Sequence, residues 1–335
     1  MKIKLLDYLA CPVCRENSFI LSKTKEERDT IEEGDLTCRK CSSVFTIRGG
    51  IIQLYSRLSY IAEKEKKSHE QEALDQKEKL NFQNEEWLLN FPDVEMMGVD
   101  GRTERIRRLI SENTASGLKK IIKLSDNLIL EIGAANCWVT ARLALNNYCI
   151  ALDILNSPPN GLEAGGVFIK NKNIYFERVL ADMVNLPFKP AIFDYVVISS
   201  SLHHSPEIKK TLRQIHELLK PDGKLALLNE PCKGFFWSDE RKRADIDVNS
   251  GFNEARPTIN EWKKLFASGN FKSKIFLPAN LPNVLRTRGG IYNKISIIFK
   301  FPYVKRITEI FFTDMLLMLF DGYFTAVLDK NIIRK

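Results

Sequence analysis

Two short cysteine pairs constrain this chain of 335 residues more than any other feature: Cys11 and Cys14 in "ACPVC", and Cys38 and Cys41 in "TCRKC". Each C-x-x-C knuckle brings two thiolates onto one ion from a tight turn, and two knuckles 23 residues apart complete a tetrahedral zinc site. Four thiolates leave no open coordination position, so the zinc is expected to be structural. A redox dithiol would need only one such pair. The segment is too small to bury a core of its own, and metal binding must supply its folding free energy. No secretory signal is visible, because Lys2 and Lys4 precede only "LLDYLA", which contains Asp7. No run of 18 uncharged apolar residues exists. A cytoplasmic protein with reduced or metal-bound cysteines is expected, at most peripheral to the inner face of a membrane.

The stretches "LLDYLACPVC" and "DLTCRKCSSVFTIRGGIIQL" resemble the short zinc-ribbon proteins related to the small activator subunit of tRNA and rRNA methyltransferases. The resemblance covers residues 4–54. Residues 56–100 follow as a highly charged segment ("AEKEKKSHEQEALDQKEK"), rich in helix formers and poor in apolar anchors, read as a solvated helical linker.

From Leu128 onward strands and helices alternate. Strands are expected at Leu128–Ile132, Tyr148–Asp153, Tyr175–Leu180, Phe193–Ser199 and Lys224–Asn229. The helix "SPEIKKTLRQIHELLK" carries Ser205 as its N-cap and stops at Pro221 and the Asp222–Gly223 turn. This alternation predicts an α/β domain over residues 101–280 with a doubly wound, mostly parallel sheet, preceded by the zinc ribbon of residues 1–55. Ligands of such sheets bind at the carboxyl ends of the strands.

The turn after the first of these strands, "LILEIGAANCWVTARLAL", discriminates between nucleotides. In a dinucleotide fingerprint the three glycine positions would hold Gly133, Ala135 and Trp138. Alanine obstructs approach to a pyrophosphate and tryptophan obstructs close helix–strand packing, which disfavours NAD. S-adenosylmethionine carries no phosphate and needs fewer glycines. It does need an acid after the next strand for the ribose hydroxyls, and Asp153 ends "CIALD" 20 residues beyond Gly133. Asp182 and Met183 in "LADMVNLPF" stand where a carboxylate and a backbone N–H can meet the adenine.

Together with "FDYVVISSSLHH", "LLKPDGKLALLNEP" and "PTINEWKKLFASGNF", these residues resemble the class I S-adenosylmethionine-dependent methyltransferases, in the branch of the ubiquinone and menaquinone C-methyltransferases. The resemblance covers residues 127–232, with "PTINEWKKLFASGNF" beyond it similar to the helix before the family's last sheet strands. It implies a seven-stranded Rossmann-like sheet and methyl transfer from S-adenosylmethionine. It also implies cofactor contacts from Glu131, Gly133, Ala135, Asn136, Asp153, Ile154, Asp182, Met183 and Ser199. The family's turn is closer to Gly-x-Gly-x-Gly, and Cys137 in place of the third glycine bears on how tightly the cofactor is held.

Methyl transfer needs orientation of the acceptor and exclusion of water. It needs a base only for a weakly acidic acceptor. His203 and His204 lie just past the fourth expected strand and are candidate bases. Glu230 in "LNEP" is a candidate to bind substrate or take a proton. The alternative is that the histidines cap a helix or pack beside the ribose.

The acceptor classes that follow are a small or lipid-linked metabolite, or RNA. A non-catalytic binding module is a third reading, resting on the eroded glycines. Residues 1–55 contain nine basic and eight acidic side chains, without the basic face that an RNA-tracking ribbon requires. The formal net charge of +8 arises beyond residue 232, where 18 basic side chains meet 10 acidic ones. Residues 281–335 are therefore read as a basic, apolar extension serving as a lid, a dimer contact or a membrane-surface element. Within it, residues 286–328 alternate apolar clusters with Arg286, Arg288, Lys294, Lys300, Lys305 and Arg306. They either complete the sheet and add a packed helix, or lie on a membrane surface.

Overall fold

The computed structural model describes residues 1–79, 85–90, 101–122, 125–235, 255–287, 290–319 and 322–331. The chain begins with a single-turn 3-10 helix at Ile3–Asp7 and an antiparallel meander of β1 (Phe19–Glu27), β2 (Thr30–Cys38), β3 (Val44–Arg48) and β4 (Ile51–Gln53). Helices α1 (Tyr60–Lys79), α2 (Glu85–Asn90) and α3 (Gly101–Ile121) follow. Next come β5 (Leu128–Ile132), α4 (Trp138–Leu143), β6 (Tyr148–Asp153), α5 (Gly166–Lys172), β7 (Glu177–Leu180), β8 (Phe193–Ser199), α6 (Ile208–Leu218) and β9 (Leu219–Cys232). The described chain closes with α7 (Ile259–Ser268), β10 (Phe271–Phe276), α8 (Leu281–Thr287), α9 (Ile291–Ile298), α10 (Pro302–Phe311), α11 (Thr313–Leu319) and β11 (Gly322–Lys330).

Strands β5 to β9 are parallel, and every residue of β5 is buried, as expected for a sheet covered on both faces. Strand β11 enters antiparallel between β9 and β10. The seven strands thus lie in the order β7-β6-β5-β8-β9-β11-β10. The sheet does not end there. Strand β4 of the meander pairs in parallel with β7, matching Ile51 to Arg178, Ile52 to Val179 and Gln53 to Leu180. Among the described residues eleven strands form one sheet, so the ribbon extends the methyltransferase-like sheet and does not merely precede it.

The junction is packed as a core. Met1, Leu5, Leu9, Ile47 and Ile52 belong to the same buried cluster as Leu130, Ile150, Val179 and Phe188. Polar groups are matched across it. Arg15 donates to the carbonyls of Leu186 and Phe188 at 2.7 and 2.9 Å. Buried Glu177 accepts from the Lys2 backbone N–H and from the hydroxyls of Tyr148 and Tyr175. The four cysteine sulfurs lie within 4.8 Å of one another, with Cys11–Cys41 and Cys14–Cys38 each 3.6 Å apart. A tetrahedron with Zn–S bonds of about 2.3 Å requires sulfurs about 3.8 Å apart, so the donor set fits zinc.

Three expectations are corrected. The segment 281–335 is not an appended extension: as one of its two readings expected, it completes the sheet, but through the internal strand β11, with α8 to α11 inserted before it between β10 and β11. The charged linker, of which residues 80–84 and 91–100 lie outside the described residues, is helical at 60–79 and 85–90 but not wholly solvated. Ala62 and Glu65 of α1 are buried, as is Leu58 just before it. Ser205 does not cap a helix starting at Pro206. It accepts from the Glu207 N–H and bonds to Thr211, and α6 begins at Ile208. No helix among the described residues is long and apolar enough to cross a membrane.

Losing the metal should uncover the β7 edge. Cys38→Ser is expected to abolish zinc retention and to cost several kcal/mol. At about 2–4 °C per kcal/mol, the melting temperature should fall by about 10 °C, with aggregation through the bared strand. Elemental analysis with light scattering during a thermal ramp checks this.

Candidate active site at the carboxyl ends of the parallel strands

The turn leaving β5 holds three residues in the left-handed region: Gly133 at φ 74°, Ala135 at φ 45° and Cys137 at φ 65°. Gly133 cannot carry a side chain, since a Cβ there would sit 2.3 Å from the Ser201 hydroxyl. Ala135 and Cys137 adopt the backbone that glycine would prefer, at a cost of about 1–2 kcal/mol each. A second glycine makes the cysteine possible. A Cβ on Gly165, at the start of the helical segment after β6, would lie 2.8 Å from the Cys137 sulfur. The thiol that replaces the family's third glycine therefore fills space left by Gly165.

The strained turn is fastened to the next strand. The Ala135 N–H donates to Asp153 Oδ2 at 2.8 Å, and the Leu155 N–H donates to Oδ1 at 2.9 Å. Asp153 is buried at the end of β6. Burial pushes its carboxyl up to about 6, opposed by those backbone bonds and reinforced by the charge of Glu65. Glu131 near the end of β5 is buried too and accepts from the Thr140 hydroxyl of α4. Burial raises it to about 8, so it is largely neutral at pH 7. Asn136 is buried and accepts from the Trp138 N–H, closing the first turn of α4. Ile154 is half-buried beside Asp153.

Past β7, Asp182 is buried and accepts from the Val184 N–H at 3.0 Å and the Ser59 N–H at 3.4 Å. Met183 packs half-buried against the core. At the end of β8, Ser199 shares a hydrogen bond with Thr114 of α3 at 3.1 Å. The expected residues of the β5, β6, β7 and β8 ends thus sit together at one end of the sheet, though Ser199 is committed to α3.

Glu230 is not the acceptor-facing group that was expected. It is fully buried on β9, and its carboxylate accepts from the backbone N–H groups of Ser201, Leu202 and His203 and pairs with His203 Nδ1 at 3.0 Å. Its work is to hold the turn after β8. His203 is buried with it, while His204 keeps 21% of its side chain exposed and meets Glu65 of α1 at 2.9 Å. The two imidazoles lie 4.1 Å apart, ring centre to ring centre. Sequence reasoning missed Ser59, Glu65, Thr114 and Ser201. Nothing in the charged linker marks Glu65, whose neighbours Glu63 and Lys64 are exposed.

A seven-stranded sheet in this order, with a tight turn after the central strand β5 and an acid ending β6, is a Rossmann-like arrangement of the class I methyltransferase type. Residues 130–227 match the family described as methyltransferase domain, and residues 2–50 match the family described as Trm112p-like protein. Among curated relatives, the probable polyketide synthases 33 and 5 of Dictyostelium discoideum are 28% and 31% identical over 136 and 122 residues. Those stretches are 37% and 34% of this chain, and the chain spans only 4% and 5% of the relatives' lengths. Two solved structures are similar in fold. One is phosphoethanolamine N-methyltransferase 2 of Haemonchus contortus, with 15% identity, 72% of this chain and 59% of that one covered, and a TM-score of 0.49. The other is a complex of the Haloferax volcanii Trm112 activator with a methyltransferase, with 13% identity, 69% and 95% covered, and a TM-score of 0.47.

The contact between Cys137 and Gly165 predicts non-additive substitutions. Gly165→Ala should cost about 1–3 kcal/mol by overpacking. Most of that cost should vanish in a Cys137→Gly background, giving a coupling energy of about 1 kcal/mol or more in a double-mutant cycle of urea denaturation.

Proposed function

We propose that the protein transfers a methyl group from S-adenosylmethionine to a small-molecule or lipid-linked acceptor at the carboxyl ends of β5 to β8. The observation that carries this reading is Asp153. It is a buried carboxylate at the end of β6, held by the turn of β5 and retaining lone pairs for two ribose hydroxyls. Gly133, Ala135 and Asn136 line the methionine side, with Glu131 and Ile154 behind, and Asp182 with Met183 receives the adenine. S-adenosylmethionine supplies an already activated methyl group, so the chain's own task is to orient the acceptor, exclude water and accept a proton. His204, the more exposed of the two histidines, is the candidate base. His203 and Glu230 brace the turn that carries it.

The curated relatives named as polyketide synthases support a small-molecule acceptor. A lipid-linked one is favoured by the insertion between β10 and β11. Ile297, Ile298, Phe301, Tyr303, Ile307 and Phe311 are among ten large apolar side chains exposed between residues 297 and 318. Lys294, Lys300 and Arg306 are exposed among them. Such a surface suits an anionic bilayer, where each basic residue contributes about 1 kcal/mol. RNA is the weaker alternative, since the ribbon carries almost no net charge and its last strand is used up against β7.

Two measurements test this. Asp153→Ala removes two charge-assisted hydrogen bonds worth about 1.5–3 kcal/mol each, so S-adenosylmethionine should bind at least about 100-fold more weakly. Because the carboxyl of Asp153 is raised to about 6, wild-type affinity should fall as the pH drops below that value, and in Asp153→Asn it should not. Calorimetry at pH 5 and pH 7.5 reads both. Separately, the protein should float with anionic vesicles at low salt and be released at high salt. Failure to float rejects the lipid-surface part of the proposal.

A further inference from the structure

Helix α1 belongs to a segment that would be called a linker, yet one face of it reaches the candidate site. Ser59, just before the helix, donates its N–H to Asp182 at 3.4 Å and caps α1 by accepting from the Ala62 N–H at 3.2 Å. One turn on, Glu65 is only 5% exposed. A carboxylate buried on an otherwise charged helix is costly unless it meets a partner. The partner is His204, whose Nδ1 lies 2.9 Å from Glu65 Oε1. Glu65 is also close enough to Asp153 for its charge to push that carboxyl up.

We propose that Glu65 is a positioning residue, supplied by the segment between ribbon and methyltransferase domain, which orients His204 as the base on the acceptor side. The inference rests on the functional reading above. A carboxylate at Nδ1 holds the ring's proton there, fixes the tautomer with a lone pair on Nε2, and stabilises the imidazolium once it forms. The proton leaving the acceptor passes to Nε2 as the acceptor atom takes the methyl group, and the electron pair of the broken carbon–sulfur bond stays on sulfur. His203 cannot take this role in the same way. Its Nδ1 likewise meets a carboxylate, Glu230, but its ring is buried with only 8% of the side chain exposed, against 21% for His204. Glu65 from α1 faces His204, and His203 lies beside it. Glu230 lies behind His203 on β9, and Asp153 lies within electrostatic reach of Glu65.

The test is read on the whole 335-residue chain and does not depend on knowing the acceptor. The chain has four histidines, so ¹⁵N-histidine labelling gives a resolvable set of imidazole signals, with His204→Gln assigning one of them. In wild type, His204 should be the Nδ1-protonated tautomer. Its pKa should fall by at least about one unit in Glu65→Gln and be largely restored in Glu65→Asp. Transfer of labelled methyl groups to a total lipid extract should drop at least tenfold in Glu65→Gln and recover in part in Glu65→Asp. Affinity for S-adenosylhomocysteine should stay within about threefold in both. Zinc content and the thermal transition verify that the variants fold. An unchanged His204 pKa in a folded Glu65→Gln, or an Nε2-protonated ring in wild type, overturns the proposal. Absence of S-adenosylhomocysteine binding by the wild type would instead overturn the methyltransferase reading, and the imidazole measurement would still judge the Glu65–His204 pair.

Discussion

The parallel pairing of β4 with β7 is the contact on which the rest of the molecule depends. A ribbon of four short strands with four thiolates has little apolar surface to bury alone, and a parallel sheet that stopped at β7 would leave an open edge. Joining the two resolves both problems. The ribbon gains a shared core through Met1, Leu5 and Ile52, and β7 gains a partner for its outward backbone groups. Around this join, Glu177 satisfies two tyrosine hydroxyls and the Lys2 N–H inside the protein, a group of donors that would be costly to bury without it.

The second dependence is the turn after β5. Departure from the family's glycine pattern looks like erosion when only the turn is read. In three dimensions the left-handed backbone survives at Ala135 and Cys137, and the thiol occupies room that Gly165 leaves open. The Ala135 N–H then spans to Asp153, so strain in the turn and the position of the acid that ends β6 are one arrangement. A missing glycine at one point of the chain is answered by a glycine 28 residues later.

Features carried by local pattern were legible in the sequence. The double knuckle gave the cysteine cluster, and apolar runs gave β5, β6 and β8 with the boundaries observed. The order of the acid-bearing turns placed Asp153 and Asp182. What the sequence did not disclose depends on pairings distant along the chain. Strand β11 reads as a terminal apolar run, yet it inserts between β9 and β10, because nothing local distinguishes an edge strand from an internal one. Glu230 looked like a cleft carboxylate because its strand end was right. Only the fold shows three backbone N–H groups and an imidazole converging on it. Glu65 is one of many charged residues in its helix, and its burial is a property of the surface opposite.

These distant pairings share a geometry. From the last paired residue of β4, the chain bonds once more to β7 through the Leu54 N–H and the Leu180 carbonyl at 2.8 Å, then reaches Ser59 and its bond to Asp182. Six residues later Glu65 meets His204. The ribbon, held together by its four cysteines, therefore continues into a helix that reaches the carboxyl ends of the parallel strands. A flexible connector of the same length would have to spend entropy to place one carboxylate beside one imidazole. Here β4 fixes where the helix starts, the Ser59 cap fixes its first turn, and Glu65 arrives at His204 as a consequence. Fusing a ribbon to the sheet edge thus does more than cover β7, because it sets the register of the segment that completes the site.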